Sequence, residues 1–178
     1  GRAPEGRPAV NAHIHLPPNF SAFESVEQAV ELAAGQDIGV LGVSNYYDFE
    51  VYGDFAAEAR CRGIFPLFGL EIIVMDDALR TAGVRLNDPG NPGKMYLCGK
   101  GITRFDELTA EAERIQGIIR ANDAARMKTM IERMEAIFAK ASVATGLTEK
   151  AVLDRIVRRH DCPRETVWIQ ERHAAQAF

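Results

Sequence analysis

Apolar positions along this chain change period several times, and each change marks an element. Ala9 to Leu16 is short and mostly apolar, and Pro17 and Pro18 follow it at once. It predicts a strand that stops at the prolines, which cannot donate to a sheet ladder. From Ser25 the period becomes helical, with Val26, Ala29, Val30 and Ala33 on one face, Ser25 and Gln28 as a capping box and Gly35 as the stop. Ile38 to Val43 is continuously apolar, the mark of a strand covered on both faces in a parallel sheet. A second helix is expected over about Val51 to Arg62, with Tyr52, Phe55, Ala56 and Ala59 inward and Gly63 closing it. A third strand is expected from Ile64 to Met75. This β-α-β-α-β order predicts right-handed parallel α/β crossovers.

The second half reads differently. A helical turn over Asp76 to Arg80 precedes the turn-rich stretch Asn87 to Lys94, and Met95 to Cys98 is a short strand, so a hairpin is expected. Thr109 to Ala141 has no proline and carries Ile115, Ile119, Met127, Met130, Ile131, Met134, Ile137 and Phe138 at helical spacing. Gly117 and Asn122-Asp123 are its expected points of bending or breakage. Thr148 caps a further helix to about Arg159, with Val152, Leu153 and Ile156 inward. Thr166 to Ile169 is either a strand or the start of a last helix. The divisions expected are a flexible leader over 1–9, the β-α-β-α-β part over 10–75, a hairpin and helical insertion over 76–165, and a possible return to the first part over 166–178, with the chain truncated there.

Composition then narrows the classes. The chain has 178 residues, is 47% hydrophobic and 26% charged, and carries a formal net charge of −4. A net negative chain is a poor general binder of nucleic acid, which needs clustered Lys and Arg. No run of 18 apolar residues occurs, so no membrane span is expected. Cys61, Cys98 and Cys162 are odd in number and widely separated, which suits free thiols in a reducing cytoplasm.

Candidate chemistry gathers at strand ends. Alternation along a strand puts His13 and His15 on one face, about 6–7 Å apart at their roots, near enough to share one metal ion or bridge two. Glu71 is the only charge between Ile64 and Val74, and a carboxylate inside such a strand needs a partner or a metal. The polar end of the second strand, Ser44-Asn45-Tyr46-Tyr47-Asp48, offers Asn45, Tyr46 and Asp48 as further metal or substrate contacts, with His173 as another. Tyr46 is a ligand only if ionised, from a reference pKa of about 10. Lys94 and Lys100 beside Gly93, Gly99 and Gly101 are candidate phosphate contacts, although the pattern is not that of a Walker A loop. The plain alternative for each is a solvated face, a turn or a cap.

These residues resemble the PHP (polymerase and histidinol phosphatase) domain, a family of metal-dependent phosphoesterases on a distorted β/α barrel. His13 and His15 match its opening His-x-His. Phe20 and Ser21 match the Phe-Ser of the next loop, and Gly69-Leu70-Glu71 matches the Gly-x-Glu of its third strand. The resemblance covers roughly residues 10–75. Where the family has Thr-Asp-His, this chain has Ser44-Asn45-Tyr46, and Ala22 and Phe23 stand where an acidic residue is usual. The resemblance implies an N-terminal portion of a parallel β/α barrel with a long, mostly helical insertion or extension. It implies His13, His15 and Glu71 as ligands of Zn, Mn or Fe and a small phosphorylated substrate. An amidohydrolase-like metal hydrolase is a neighbouring alternative. A non-catalytic, degenerate module acting through partner binding, or through self-association of the helical insertion, is the alternative of another class.

Overall fold

A computed structural model describes residues 6–178. The leader expected over 1–9 lies in part outside the described residues, and the first strand already begins at Ala9. Four strands form one sheet in the order β1 (Ala9–Ile14), β2 (Ile38–Val43), β3 (Phe65–Met75), β4 (Lys94–Lys100). The first three are parallel and β4 is antiparallel to β3. The mostly parallel sheet curls into a half-barrel, and long helices follow it.

Two helices connect the parallel strands and cover one face of the sheet. Helix α1 (Val26–Ala34) starts at Ser25, whose Oγ accepts from the Gln28 N–H at 3.2 Å. Helix α2 (Tyr52–Cys61) buries Tyr52, Phe55, Ala56 and Ala59. These faces pack on Ile14, Leu16, Leu41 and Val43 in a first apolar core. The predicted helical stripes and the buried faces coincide. Removing the cap with Ser25→Ala is expected to cost about 1 kcal/mol, read as a lower midpoint in urea unfolding with an unchanged slope.

Close approach sets one residue type in β2. A Cβ on Gly42 would stand 2.4 Å from the Ala12 carbonyl oxygen. Only glycine lets β1 come that near, and β1 carries His13 into the site.

The short helix α3 (Asp77–Thr81) leads into the turn region and then β4. The hairpin strand is longer than the sequence suggests and runs on to Lys100, which pairs with Gly69. Helix α4 (Ala110–Lys140) is one continuous helix of 31 residues, about 47 Å at the usual rise. The expected break at Gly117 or Asn122-Asp123 does not occur. Gly117 has open space around it, and Asp123 is held within the helix by Arg126 one turn on, at 2.7 Å. Helix α5 (Glu149–His160) and helix α6 (Glu171–Ala177) pack with α4 around Ile131, Leu147, Val152, Ile156, Val167 and Ala174, a second apolar core. Residues 166–169 form neither strand nor α-helix: a 3-10 turn over Arg164–Thr166 leads into extended chain.

Polar bonds join the helical layer to the half-barrel. The Tyr47 carbonyl accepts from Gln116 Nε2 and Arg120 Nε, both at 2.7 Å. Tyr47 has φ +63°, a left-handed backbone that a bulky side chain adopts only when its surroundings hold it. Gln170 reaches across, donating from Nε2 to Asn19 Oδ1 at 2.8 Å and accepting from the Phe20 N–H at 2.8 Å. Among the described residues no helix is long and apolar enough to cross a membrane.

Candidate metal centre

His13 is the next-to-last residue of β1, and His15 follows directly after the strand. Glu71 lies within β3, where Tyr46 bridges to it and its N–H donates to the Asn45 carbonyl. His13 Nε2 is 2.8 Å from Glu71 Oε2, His15 Nε2 is 3.2 Å from the same oxygen, and the two Nε2 atoms are 3.3 Å apart. Residues 58 or 56 positions apart in the chain thus turn three ligand atoms toward one point. Donor atoms about 2.0–2.2 Å from one ion, at angles between octahedral and tetrahedral, stand about 2.8–3.6 Å apart. The triangle fits that spacing. Oε2 is also buried with no hydrogen-bond donor aimed at it, despite the two imidazoles beside it. A donor set of two imidazoles and one carboxylate suits Zn, Mn or Fe. The cluster can hold a metal ion, and His13 is its solvent-facing side.

The surroundings fix each donor. Ser21 Oγ donates to the His15 carbonyl at 2.6 Å, which gives the Phe-Ser loop a role in holding the His15 backbone. The Tyr46 ring stacks on His15 with centroids 4.8 Å apart, and its hydroxyl donates to Glu71 Oε1 at 3.1 Å. Burial and the Glu71 charge push the Tyr46 phenol well above its ordinary pKa. Tyr46 stands here as a hydrogen-bond donor to Glu71. Burial alone would raise the Glu71 pKa, but the nearby His15 and His13 imidazoles and the bond from Tyr46 outweigh it and hold the carboxyl below its usual range. His13 is held below its ordinary value by burial first and by Lys100 second.

The other candidates fall in different places. Asn45 is fully buried, and its side chain spends both ends on Leu16: Oδ1 accepts from the Leu16 N–H at 2.8 Å, and Nδ2 donates to the Leu16 carbonyl at 3.0 Å. Its amide ties together the chain segments that follow β1 and β2. Asp48 is also buried and faces Asn19 Nδ2 at 2.9 Å and the Glu50 N–H at 3.2 Å, and not the cluster. Burial pushes its pKa up to about 7. His173 caps α6, accepting from the Gln170 N–H at Nδ1, and packs edge-on to Phe20. It is outside the metal cluster. Lys100 is beside the cluster, at His13, while Lys94 pairs with Asp88 at 3.0 Å and lies over the Tyr96 ring.

Burial pushes His173 down to about 4. The unfolded chain takes up this proton near pH 6.5 and the folded protein does not until about 4, so stability falls as pH drops through that window. The loss at pH 5, relative to pH 7.5, is about 2 kcal/mol. Asp48 acts in the opposite sense, since its raised pKa makes the folded state bind the extra proton. Comparison with His173→Gln, which keeps an acceptor, isolates the histidine. The parent is expected to lose about 2 kcal/mol more than the variant between pH 7.5 and 5 in urea titrations. Equal slopes in the two proteins would contradict it.

A cleft of about 450 Å³ opens beside the cluster, lined by His15, Phe20, Tyr46, Glu71, Lys94, Tyr96, Gln170, Glu171 and Arg172. Arg172 stacks over Phe20 at 5.3 Å. Sequence reading passed over Arg172, because an isolated Arg in a terminal helix carries no motif. Asn19 and Gln170 were equally silent, since their pairing joins residues 151 positions apart.

No family model matches the sequence, and no curated protein sequence matches it. Among solved structures the chain is similar to an amidohydrolase from Chromobacterium violaceum with bound sulfate and no metal, with a TM-score of 0.65 and 21% identity, covering 94% of this chain and 48% of that one. It is also similar to a candidate metal-dependent phosphoesterase from Bifidobacterium adolescentis, with a TM-score of 0.64 and 15% identity, covering 96% of this chain and 50% of that one. The chain spans about half the length of these structures. The likeness is one of fold, and the fold is the partial, PHP-like barrel expected from residues 10–75 with its helical continuation.

Proposed function

We propose that this chain carries the metal-holding side of a hydrolase that cleaves phosphoesters of small molecules. The single observation that carries the reading is the convergence of His13 Nε2, His15 Nε2 and the orphaned Glu71 Oε2 within 3.3 Å of one another. Those three residues would hold a Zn, Mn or Fe ion. Bound there, such an ion supplies Lewis acidity to a phosphoryl oxygen and brings a water toward ionisation near neutral pH. The protein's own residues do the rest of the positioning. Tyr46 keeps Glu71 turned to the cluster through one hydrogen bond and keeps His15 in place by stacking. Arg172 and Lys94, the latter paired with Asp88, are the cationic groups that would meet an anionic substrate in the adjoining cleft, beside the carboxylates of Glu71 and Glu171. Tyr46, Phe20 and Tyr96 supply aromatic walls for its organic part.

One observation favours a second reading, a non-catalytic module. Asn45 and Tyr46, the positions where the resemblance would supply further ligands, are committed to Leu16 and Glu71. Phosphate release from a panel of phosphomonoesters and phosphodiesters, with added Zn²⁺ or Mn²⁺, separates the two. The phosphoesterase reading expects turnover that Glu71→Gln lowers at least about a hundredfold. Bound metal without any phosphate release above the Glu71→Gln background would overturn it and leave the binding module.

A further inference from the structure

Lys100 is built into the wall of the cluster. Its Nζ donates to the Ala12 carbonyl at 2.7 Å and to Ser44 Oγ, and it lies 3.3 Å from His13 Nδ1. An ammonium has three donors and no acceptor, so these contacts use all of them. The path of its stem is prepared. Lys100 pairs with Gly69 across the β3–β4 ladder, and a Cβ on Gly69 would stand 2.6 Å from Ser44 Oγ, 2.6 Å from the Gly99 carbonyl oxygen and 3.2 Å from Lys100 Cδ. Gly69 is thus a glycine where Ser44 and the lysine stem cross over it.

The chemical consequence falls on His13. A neutral imidazole has one N–H and one lone pair. Facing an ammonium, Nδ1 must accept, so the ring proton sits on Nε2. That proton then lies between Glu71 Oε2, 2.8 Å away, and His15 Nε2, 3.3 Å away. A metal ion at the cluster needs the opposite arrangement, with the His13 Nε2 lone pair free and the proton on Nδ1 bonded to an acceptor. Lys100 offers no such acceptor, and its charge lies one imidazole away from the ion.

We propose that Lys100 is a positioning residue which holds His13 in its Nε2–H tautomer and thereby sets the cluster against metal binding, so that an ion enters only as the lysine withdraws. This rests on the metal reading above and adds a built-in competitor to it. The cluster is a site of moderated affinity in which an internal cation and an external one exclude each other.

The test compares the parent with Lys100→Met, Lys100→Gln and Lys100→Arg, all of full length. Co²⁺ titration followed by its visible absorption gives affinity, and ¹⁵N shifts of the metal-free proteins give the tautomer of His13. Lys100→Met and Lys100→Gln are expected to bind Co²⁺ at least about tenfold more tightly than the parent, within the range of outer-shell effects on metal sites. Lys100→Arg keeps the charge and is expected to stay near the parent. The parent is expected to show Nε2–H at His13, and the Met variant to lose that bias. Equal or weaker Co²⁺ binding by two folded neutral variants, or an Nδ1–H tautomer in the parent, overturns the proposal. Failure of the metal reading shows separately, as absence of Co²⁺ uptake by the parent and by both neutral variants alike.

Discussion

A His13→Ala/His15→Ala double variant is expected to bind Zn²⁺ more than about a hundredfold less tightly than the parent. Changes in outer-shell partners alone cost metal sites about 10–100-fold, and this variant removes two of three direct donors. The remaining Glu71 carboxylate would still have Tyr46 as a donor at 3.1 Å, but no imidazole beside it. Competition with a chromophoric chelator gives the affinity, and elemental analysis after dialysis gives the content. Little of the backbone depends on the two rings. His13 is partly exposed, and the His15 carbonyl that Ser21 holds is untouched by the substitution. The variant is therefore expected to remain folded in the absence of metal, with a lower melting point from the less well partnered Glu71. Equal metal content in the two proteins would remove this cluster as the binding site.

Asn45→Asp is expected to be the most damaging conservative change near the site, at about 3–5 kcal/mol. The Asn45 amide both accepts from and donates to the backbone of Leu16. Aspartate keeps the acceptor and turns its second oxygen toward the Leu16 carbonyl. It also places a charge at a position with no solvent exposure. Asn45→Ala removes both bonds and leaves a buried N–H and a buried carbonyl unpaired, each costing about 1–3 kcal/mol. Urea unfolding of the two variants measures the loss, and a midpoint within error of the parent for Asn45→Asp would refute it. The result bears on function. The aspartate that the PHP resemblance would expect at this position is one this chain cannot accommodate without giving up the β1–β2 tie.

Much of the half-barrel is legible along the chain, because its signals are local. The continuous apolar run of β2, the 3–4 spacing of α1 and α2 and the caps at Ser25, Thr109 and Thr148 need only near neighbours to be read. His13, His15 and Glu71 were also readable, the first two by alternation and the third as an isolated charge in an apolar strand. Their meeting is a matter of parallel register, in which Ile14 pairs with Val43 and Tyr46 bridges to Glu71, so the strand ends are brought level.

The rest depended on tertiary contact. Composition cannot show that Asn45 spends its amide on Leu16, that His173 caps a buried helix, or that Asp48 faces Asn19. A polar side chain has the same formula as a ligand, a clamp or a cap, and only the atoms that desolvate it decide which it becomes. Helix α4 makes the same point. Gly117 and Asn122 weaken a helix in isolation, yet bonds from Gln116 and Arg120 to the Tyr47 carbonyl, and from Arg126 to Glu171, tie the unbroken helix to the half-barrel and to α6. By itself the sequence determined which segments become strands and helices and which three residues are candidates for ligand chemistry, since both follow from side-chain type and spacing. Tertiary structure alone decided which neighbours those residues keep, Lys100 at His13 and Tyr46 at Glu71, since that depends on register between strands far apart in the chain.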